Sequence, residues 1–395
     1  MIVNTLNNIN LNGKRVLVRT DYNVPISNNA ITDDFRIKES LKTINHLIDR
    51  NCKIIIMSHI GRPNPDNFDT NLSMKIVFKY FKEKLNYDAF FSNSISSRSI
   101  IKSKTIKNRQ ILILENLRLY KGEINNNDDF SLLLSQHADI YINDAFGTAH
   151  RSHASNNSIV GKFKEKGIGF LFDKEITFLI EYLKKPALPM ALLIGGAKIS
   201  SKIDLINNFI GKAHYIMVGG AMAFTFLKAM GKEIGLSLFE QNKVDVAKKI
   251  LEDAKEAGTL IILPKDIVVA STNNYRPKTI SVDKIGKKDK GYDIGLSTCK
   301  QFKEYIDKTK TLIWNGPMGV TEKSKYSKGT NIIGTYISEL TINKILISIV
   351  GGGDTAASLD CQNICFTHLS TGGGASLELL SGKKLKALEV FKNEK

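Results

Sequence analysis

Four arginines in the first half of the chain, Arg36, Arg62, Arg118 and Arg151, stand beside His59 and His150 beyond the ends of successive short apolar runs. The first run leads into RTDYNVP with Asp21 and Asn23, and ITDDFRIKES follows with Arg36. The second leads into SHIGRP with His59 and Arg62, the third into ENLR with Arg118, and the fourth into NDAFGTAHRSH with His150 and Arg151. Guanidinium groups give permanently charged, bidentate contacts to phosphate and carboxylate. Asp21 and Asn23 are placed to meet a hydroxyl between such groups. This set suits a small, highly anionic substrate, because convergent polar groups at strand ends are where parallel α/β sheets bind ligands.

The second half ends its apolar runs in glycine instead: GGAKISSK (Gly195–Lys202), Gly219–Gly220, WNGPMGVTE (Trp314–Glu322), GGGDT (Gly351–Thr355) and STGGGASLELL (Ser370–Leu380). Bare amides at a strand-to-helix turn attract phosphate, and Lys198 and Lys202 add charge. Residues 351–356 match the GxGxxG/A dinucleotide pattern, yet a dinucleotide domain carries that pattern at its first βα turn. The sequence has no Walker A stretch and no HRD or DFG set. A nucleotide is therefore expected to be held by several glycine turns, with Asp354 meeting Mg²⁺ through phosphate oxygens. No Ser-His-Asp set, paired acid/base carboxylates or HExxH helix is present. Phosphoryl transfer between two bound anions needs positioning and positive charge more than covalent chemistry.

The elements that must hold these groups read as repeated βαβ units. Strands are expected at Arg15–Arg19, Lys53–Met57, Gln110–Leu114 and Asp139–Ile142, then at Ala191–Ile194, Tyr215–Val218, Leu260–Leu263, Thr311–Trp314, Ile345–Val350 and Ile364–His368. They are apolar almost throughout, as strands covered on both faces are. Asp33 and Asp34 are read as caps of the helix that bears Arg36. Phe172, Ile176, Leu179, Ile180 and Leu183 recur at helical spacing, so an amphipathic helix is predicted to link two domains within Gly167–Pro189. Ser271–Tyr292, rich in Lys, Asn and Gly, reads as a solvated loop.

Length and composition fit a globular protein of two domains, with 395 residues, 42% hydrophobic and 24% charged. The formal charge of +17 is spread along the chain without a compact basic tract or a nucleic-acid-binding motif, so no specific nucleic-acid partner is expected. It still favours anionic metabolites. Cys52, Cys299, Cys361 and Cys365 show no zinc-site spacing and read as buried or half-buried thiols. With no visible signal peptide and no apolar run near a membrane span, a cytoplasmic location and no membrane partner are expected.

Taken together, RVLVRTDYNVP, ITDDFRI, MSHIGRP, LENLRLY, NDAFGTAHRSHAS, GGAKISSKI, GGAMAFTFLKA, WNGPMGV, GGGDTAA and STGGGASLELL resemble the phosphoglycerate kinase family, in the family's order and over nearly the whole chain. The resemblance implies two Rossmann-like lobes, each a parallel sheet flanked by helices, joined by a hinge helix with an interlobe cleft. It places a phosphoglycerate-binding domain at 1–169, the connecting helix and hinge at 170–189 and a nucleotide-binding domain at 190–375, with 376–395 packing back on the first. It implies reversible phosphoryl transfer between 1,3-bisphosphoglycerate and ADP, giving 3-phosphoglycerate and ATP, by a glycolytic monomer. Asp21, Asn23, Arg36, His59, Arg62, Arg118 and Arg151 would bind phosphoglycerate. Lys202, Gly295, Glu322, Gly352, Gly353, Asp354 and Thr355 would bind nucleotide, with Glu322 on the ribose and Asp354 on Mg²⁺. Arg36, Lys198, Gly373 and Gly374 would serve the transferring group. Hinge closure would bring both substrates together and exclude water. Two other readings remain at this point: an NAD-dependent oxidoreductase using the 351–356 glycines, and a polyanion-binding protein without catalysis.

Overall fold

A computed structural model describes residues 4–66, 74–271 and the rest of the chain to 392, apart from 353–354, 356–357, 360–363 and 272–273, and it includes Leu72 and Ser73. These residues form two compact units. One runs to Thr177 and takes up the chain again from Lys384; the other is Phe178–Lys383.

The first unit is built on a six-stranded sheet. Its strands, with a small hairpin counted in chain order, are β1 (Arg15–Arg19), β2 (Ile26–Ser27), β3 (Ala30–Ile31), β4 (Lys53–Met57), β5 (Ala89–Phe91), β6 (Ile111–Ile113), β7 (Ile140–Asn143) and β8 (Glu165–Ile168). The order across the sheet is β5-β6-β4-β1-β7-β8, and every pair is parallel. Runs such as Val16–Val18, Ile54–Ile56 and Ile111–Ile113 are wholly buried, because helices cover both faces. The chain builds from β1 toward β5, then returns to place β7 on the other side of β1. That reversal is the switch point where such sheets take ligands.

The second unit repeats the plan with β9 (Met190–Ile194), β10 (Tyr215–Val218), β11 (Leu260–Ile262), β15 (Thr311–Asn315), β16 (Ile347–Gly351) and β17 (His368–Leu369), in the order β11-β10-β9-β15-β16-β17. Its reversal lies between β9 and β15. A second sheet of three antiparallel strands, β12 (Asp266–Ser271), β13 (Asn274–Ser281) and β14 (Asp289–Ile294), is inserted after β11.

Two expectations about elements need correction. The stretch Ser271–Tyr292 is not a solvated loop, since it carries β13 and most of β14. Ile267, Val269, Val282 and half-buried Ile280 pack against Phe224, Leu227 and Ile234, while β13, at the sheet edge, keeps Arg276 and Lys278 exposed. The last strand also lies later than expected, at His368–Leu369, where it pairs with Ile349 and Val350. Cys365 thus falls before the strand and is exposed rather than buried, whereas Cys52 and Cys299 are buried and Cys361 lies outside the described residues. Among the described residues no helix is long and apolar enough to cross a membrane.

Candidate active site

In the first unit the loops after β1, β4, β6 and β7 carry a connected set of polar side chains. Asp21 is buried; its Oδ2 accepts from Arg36 at 2.6 Å, and its Oδ1 lies 3.8 Å from Nδ1 of His59. Arg36 is half-buried in the first turn of helix Phe35–Asp49. Asp33 accepts from the Phe35 amide at 2.9 Å and so closes the helix start, but Asp34 does not cap it. Asp34 instead pairs with Lys38 and accepts from the Tyr80 hydroxyl.

Gly61 joins three loops. Its amide donates to the Asn23 side chain at 2.8 Å, and its carbonyl accepts from the Arg118 guanidinium at 2.7 Å. A Cβ there would crowd Leu72 at 2.9 Å with φ at +63°, so glycine is required. Asn116 fixes the same loop by donating to the Ile60 and Leu72 carbonyls. Arg62 is exposed and Arg151 half-buried on their loops.

Burial pushes the Asp21 carboxyl up, but the charges of Arg36 and Arg19 and the Asn23 amide outweigh it and hold it at about 2. Burial drives His59 well below its usual range, and the arginines around it reinforce this, so a neutral ring faces the cationic cluster. Burial followed by the Arg19 and Arg151 charges lowers Arg118 to about 10. Cations crowded enough to depress Arg118 make a site poised for a polyanion.

Sequence reasoning missed the support beneath this cluster. Arg19 is fully buried, donating to Ser155 at 2.8 Å and lying 3.3 Å from His59 Nδ1. Ser155 in turn donates to Glu123, which is also fully buried. Arg19 reads as an ordinary strand residue because β1 is apolar around it. A charge closing a buried strand was the available signal.

In the second unit, glycine turns close the ends of β9, β10 and β15. A Cβ on Gly195 would meet the Pro317 carbonyl at 2.1 Å, and one on Gly220 would meet the Gly196 amide at 2.5 Å with φ at +64°. The three turns are thus packed backbone on backbone. Beside them lies a cavity of about 500 Å³ whose walls include Gly196, Gly220, Tyr292, Asp293, Met318 and Glu322. Glu322 is exposed at its edge. The mix of apolar wall, bare backbone and two carboxylates, Asp293 and Glu322, suits a nucleoside.

Lys202 contacts the Asn315 side chain, and Asn315 donates to the Gly351 carbonyl at 2.9 Å. The Thr355 hydroxyl accepts from the Gly316 amide at 2.7 Å and donates to Gly351 at 3.1 Å. Gly352 adopts φ +101° against Asn315. Lys202, Gly352 and Thr355 therefore share one neighbourhood around Asn315, which the sequence reading overlooked. Lys198 is exposed before the turn Ile199–Ser201, which Glu240 pins by accepting from the Ser200 amide and hydroxyl at 2.8 and 2.7 Å. Gly373, with φ at +49°, precedes helix Gly374–Leu380. Gly295 stands apart from the cavity walls: it is buried at the start of helix Leu296–Ile306, where a Cβ would strike the Asp266 carboxylate at 2.3 Å. Gly353 and Asp354 lie outside the described residues.

An arginine-rich site at the switch point of one parallel sheet and a glycine-walled cavity in a second unit define a two-substrate α/β transferase of anionic ligands. The family model for phosphoglycerate kinase matches residues 6–383. Curated phosphoglycerate kinases from Finegoldia magna and Dictyoglomus turgidum are 45% and 44% identical, over 98% and 97% of both chains. Among solved structures, phosphoglycerate kinase from Coxiella burnetii superposes with a TM-score of 0.86 at 34% identity, covering 99% of both chains. The enzyme from Pyrococcus horikoshii does so at 0.85 and 27% identity, covering 98% of both. The chain belongs to the phosphoglycerate kinase family and is a kinase of glycolytic phosphoryl transfer. The oxidoreductase and polyanion-binding alternatives gain nothing from these relatives.

Proposed function

We propose that the chain catalyses reversible transfer of a phosphoryl group from 1,3-bisphosphoglycerate to ADP, as a cytoplasmic monomer. The observation that carries the residue assignment is the linked cluster of Asp21, Arg36, His59, Gly61 and Arg118. In this reading Arg62, Arg118 and Arg151 hold the phosphate and carboxylate ends of the phosphoglycerate. Asp21, Asn23 and His59 orient its hydroxyl, and Arg36 reaches the transferring group. The cavity beside Gly220 and Glu322 takes the nucleoside, with Lys202, Gly352, Gly353 and Thr355 assigned to its phosphates and Gly295, the neighbour of wall residue Ile294, assigned to the same ligand.

Among the described residues no group of three or more His, Cys, Asp or Glu is set to hold a metal. In this reading Mg²⁺ arrives on the nucleotide, held mainly by phosphate oxygens and water with Asp354 as its protein contact. When bound it would neutralise charge on the phosphates. The chain's own residues do the rest: Arg36 and Lys198 stabilise charge on the phosphoryl oxygens, and the Gly372–Gly374 amides face the same group. In this reading a hinge closure brings the two ligand sets together and expels water.

The test is formation of 1,3-bisphosphoglycerate from 3-phosphoglycerate and MgATP by the purified chain, with Arg36→Ala and Lys198→Ala alongside. Turnover that falls at least about 100-fold in both variants supports the assignment. Turnover that survives in either removes that residue from the transfer step.

A further inference from the structure

Asp293 is a buried carboxylate in the wall of the nucleoside cavity, and nothing in the proposed transfer uses it. It sits on β14 between Tyr292 and Ile294, which also line the cavity. Its Oδ2 accepts from the Gly329 amide at 2.8 Å, and its Oδ1 accepts from the Ile294 amide at 2.9 Å. Gly329 lies in the first turn of helix Lys328–Ile342. A Cβ on Gly329 would fall 2.5 Å from Oδ1, and one on Gly319 would fall 2.3 Å from the same oxygen. Gly319 belongs to the Pro317–Glu322 stretch that forms another part of the cavity wall. One carboxylate is thus the shared contact of β14, the Gly319 loop and the head of the following helix, and two glycines are needed to let it in.

We propose that Asp293 is a positioning residue for the nucleotide: its carboxylate ties the β14 and Gly319 parts of the cavity wall to the head of helix Lys328–Ile342 and so holds the shape that receives the nucleoside. The inference rests on the cavity being the nucleotide site. Burial raises the Asp293 carboxyl to about 7, against the pull of the Gly329 and Ile294 amides, so ionising it costs the fold stability. A buried group kept at such a cost beside a cavity is a mark of function.

The ionised carboxylate can accept from both amides. The protonated form turns an O–H toward one of them and loosens that contact. Tyr292 flanks Asp293 on the same strand and stacks on Tyr326, and Cys299 on helix Leu296–Ile306 feels the Asp293 charge together with those of Asp266 on β12, Lys303 and Lys328. Burial, with the Asp293 and Asp266 charges, lifts Cys299 to about 12, so it stays a thiol.

The experiment is calorimetric binding of adenosine, which has no group titrating near neutrality, to the wild type, Asp293→Asn and Glu322→Gln at about pH 6 and pH 8. With half-ionisation at about 7, roughly one eleventh of the wild type is ionised at the lower pH and ten elevenths at the higher, so an affinity that needs the carboxylate rises about tenfold between them. Asp293→Asn should bind weakly and equally at both, while 3-phosphoglycerate binding, measured on the same samples, stays at the wild-type level. Loss of both ligands in Asp293→Asn would mean global damage, and the wild-type pH profile then decides alone. A flat wild-type profile overturns the proposal. Wild-type adenosine affinity left untouched in Glu322→Gln would instead fault the assignment of the cavity itself.

Discussion

Asp21 is held at about 2 although burial alone would push it up, which means that the surrounding cations contribute more than its desolvation costs. Its folded value lies below the ordinary 3.8, so its share of stability is fully present above that pH and is lost as pH falls toward 2. Asp21→Asn should cost the first unit about 2 kcal/mol near neutrality. The gap to the wild type should close as urea unfolding is repeated at progressively more acid pH; a constant gap would show that the loss is packing, not charge. Arg36 gives the matching kinetic prediction. Its partner Asp21 fixes it in the ground state, and its charge is needed most when the phosphoryl group transfers. Arg36→Ala should therefore lower kcat far more than it raises KM for 3-phosphoglycerate, and steady-state kinetics showing a rise in KM with kcat unchanged would end that role.

At the scale of elements, the loops are held by carboxylates that no strand or helix pattern displays. Asp144, beyond β7, accepts from the Leu171 and Phe172 amides at 3.0 and 3.1 Å and so anchors the start of helix Phe170–Ile176. Burial raises it to about 6 despite those bonds and the Thr43 hydroxyl. With the folded value above the ordinary one, the folded state holds this proton more tightly, and stability falls as pH rises from about 4 through 6. Asp144→Asn keeps one acceptor and cannot ionise. It should gain on the wild type by about 1–3 kcal/mol between pH 5 and 7 in thermal or urea melts, and parallel pH curves would contradict this. The same elements show what a sequence displays and what it hides. Strands such as Lys53–Met57 and Tyr215–Val218 are legible because burial on both faces demands an apolar run. The β2–β3 hairpin was passed over although Asn28 and Asn29, both at positive φ, are the residues such a turn prefers. β13 was hidden because an edge strand with one solvated face looks like a loop. The ligand arginines and glycine turns stood out by type, whereas Arg19, Asn315 and Asp293 matter through partners far away in the chain, which spacing cannot reveal.

At the scale of the whole molecule, the chain leaves the first unit after Thr177 and contributes to it again from Lys384. The returning segment is integral to that unit. Leu385, Ala387 and Leu388 are buried, the Ala387 amide donates to the Ala149 carbonyl at 2.9 Å, and the Phe391 ring stacks on Tyr141. Ala149 immediately precedes His150 and Arg151, so the chain end supports the loop that carries one of the proposed phosphoglycerate arginines. Burying two leucines and an alanine there is worth about 5 kcal/mol, comparable with the whole stability of a small domain. Deleting residues from Lys384 onward should therefore unfold or loosen the first unit and abolish 3-phosphoglycerate binding. The second unit has its own two sheets and cavity, and should keep its melting transition and its affinity for ADP. Leu388→Ala is the milder version, lowering only the first unit's stability by about 3 kcal/mol. Calorimetric melting with each ligand in turn separates the units. If the truncated chain lost ADP binding and 3-phosphoglycerate binding together, the two units would have to fold as one, and the chain's return would serve the whole molecule and not the first unit alone.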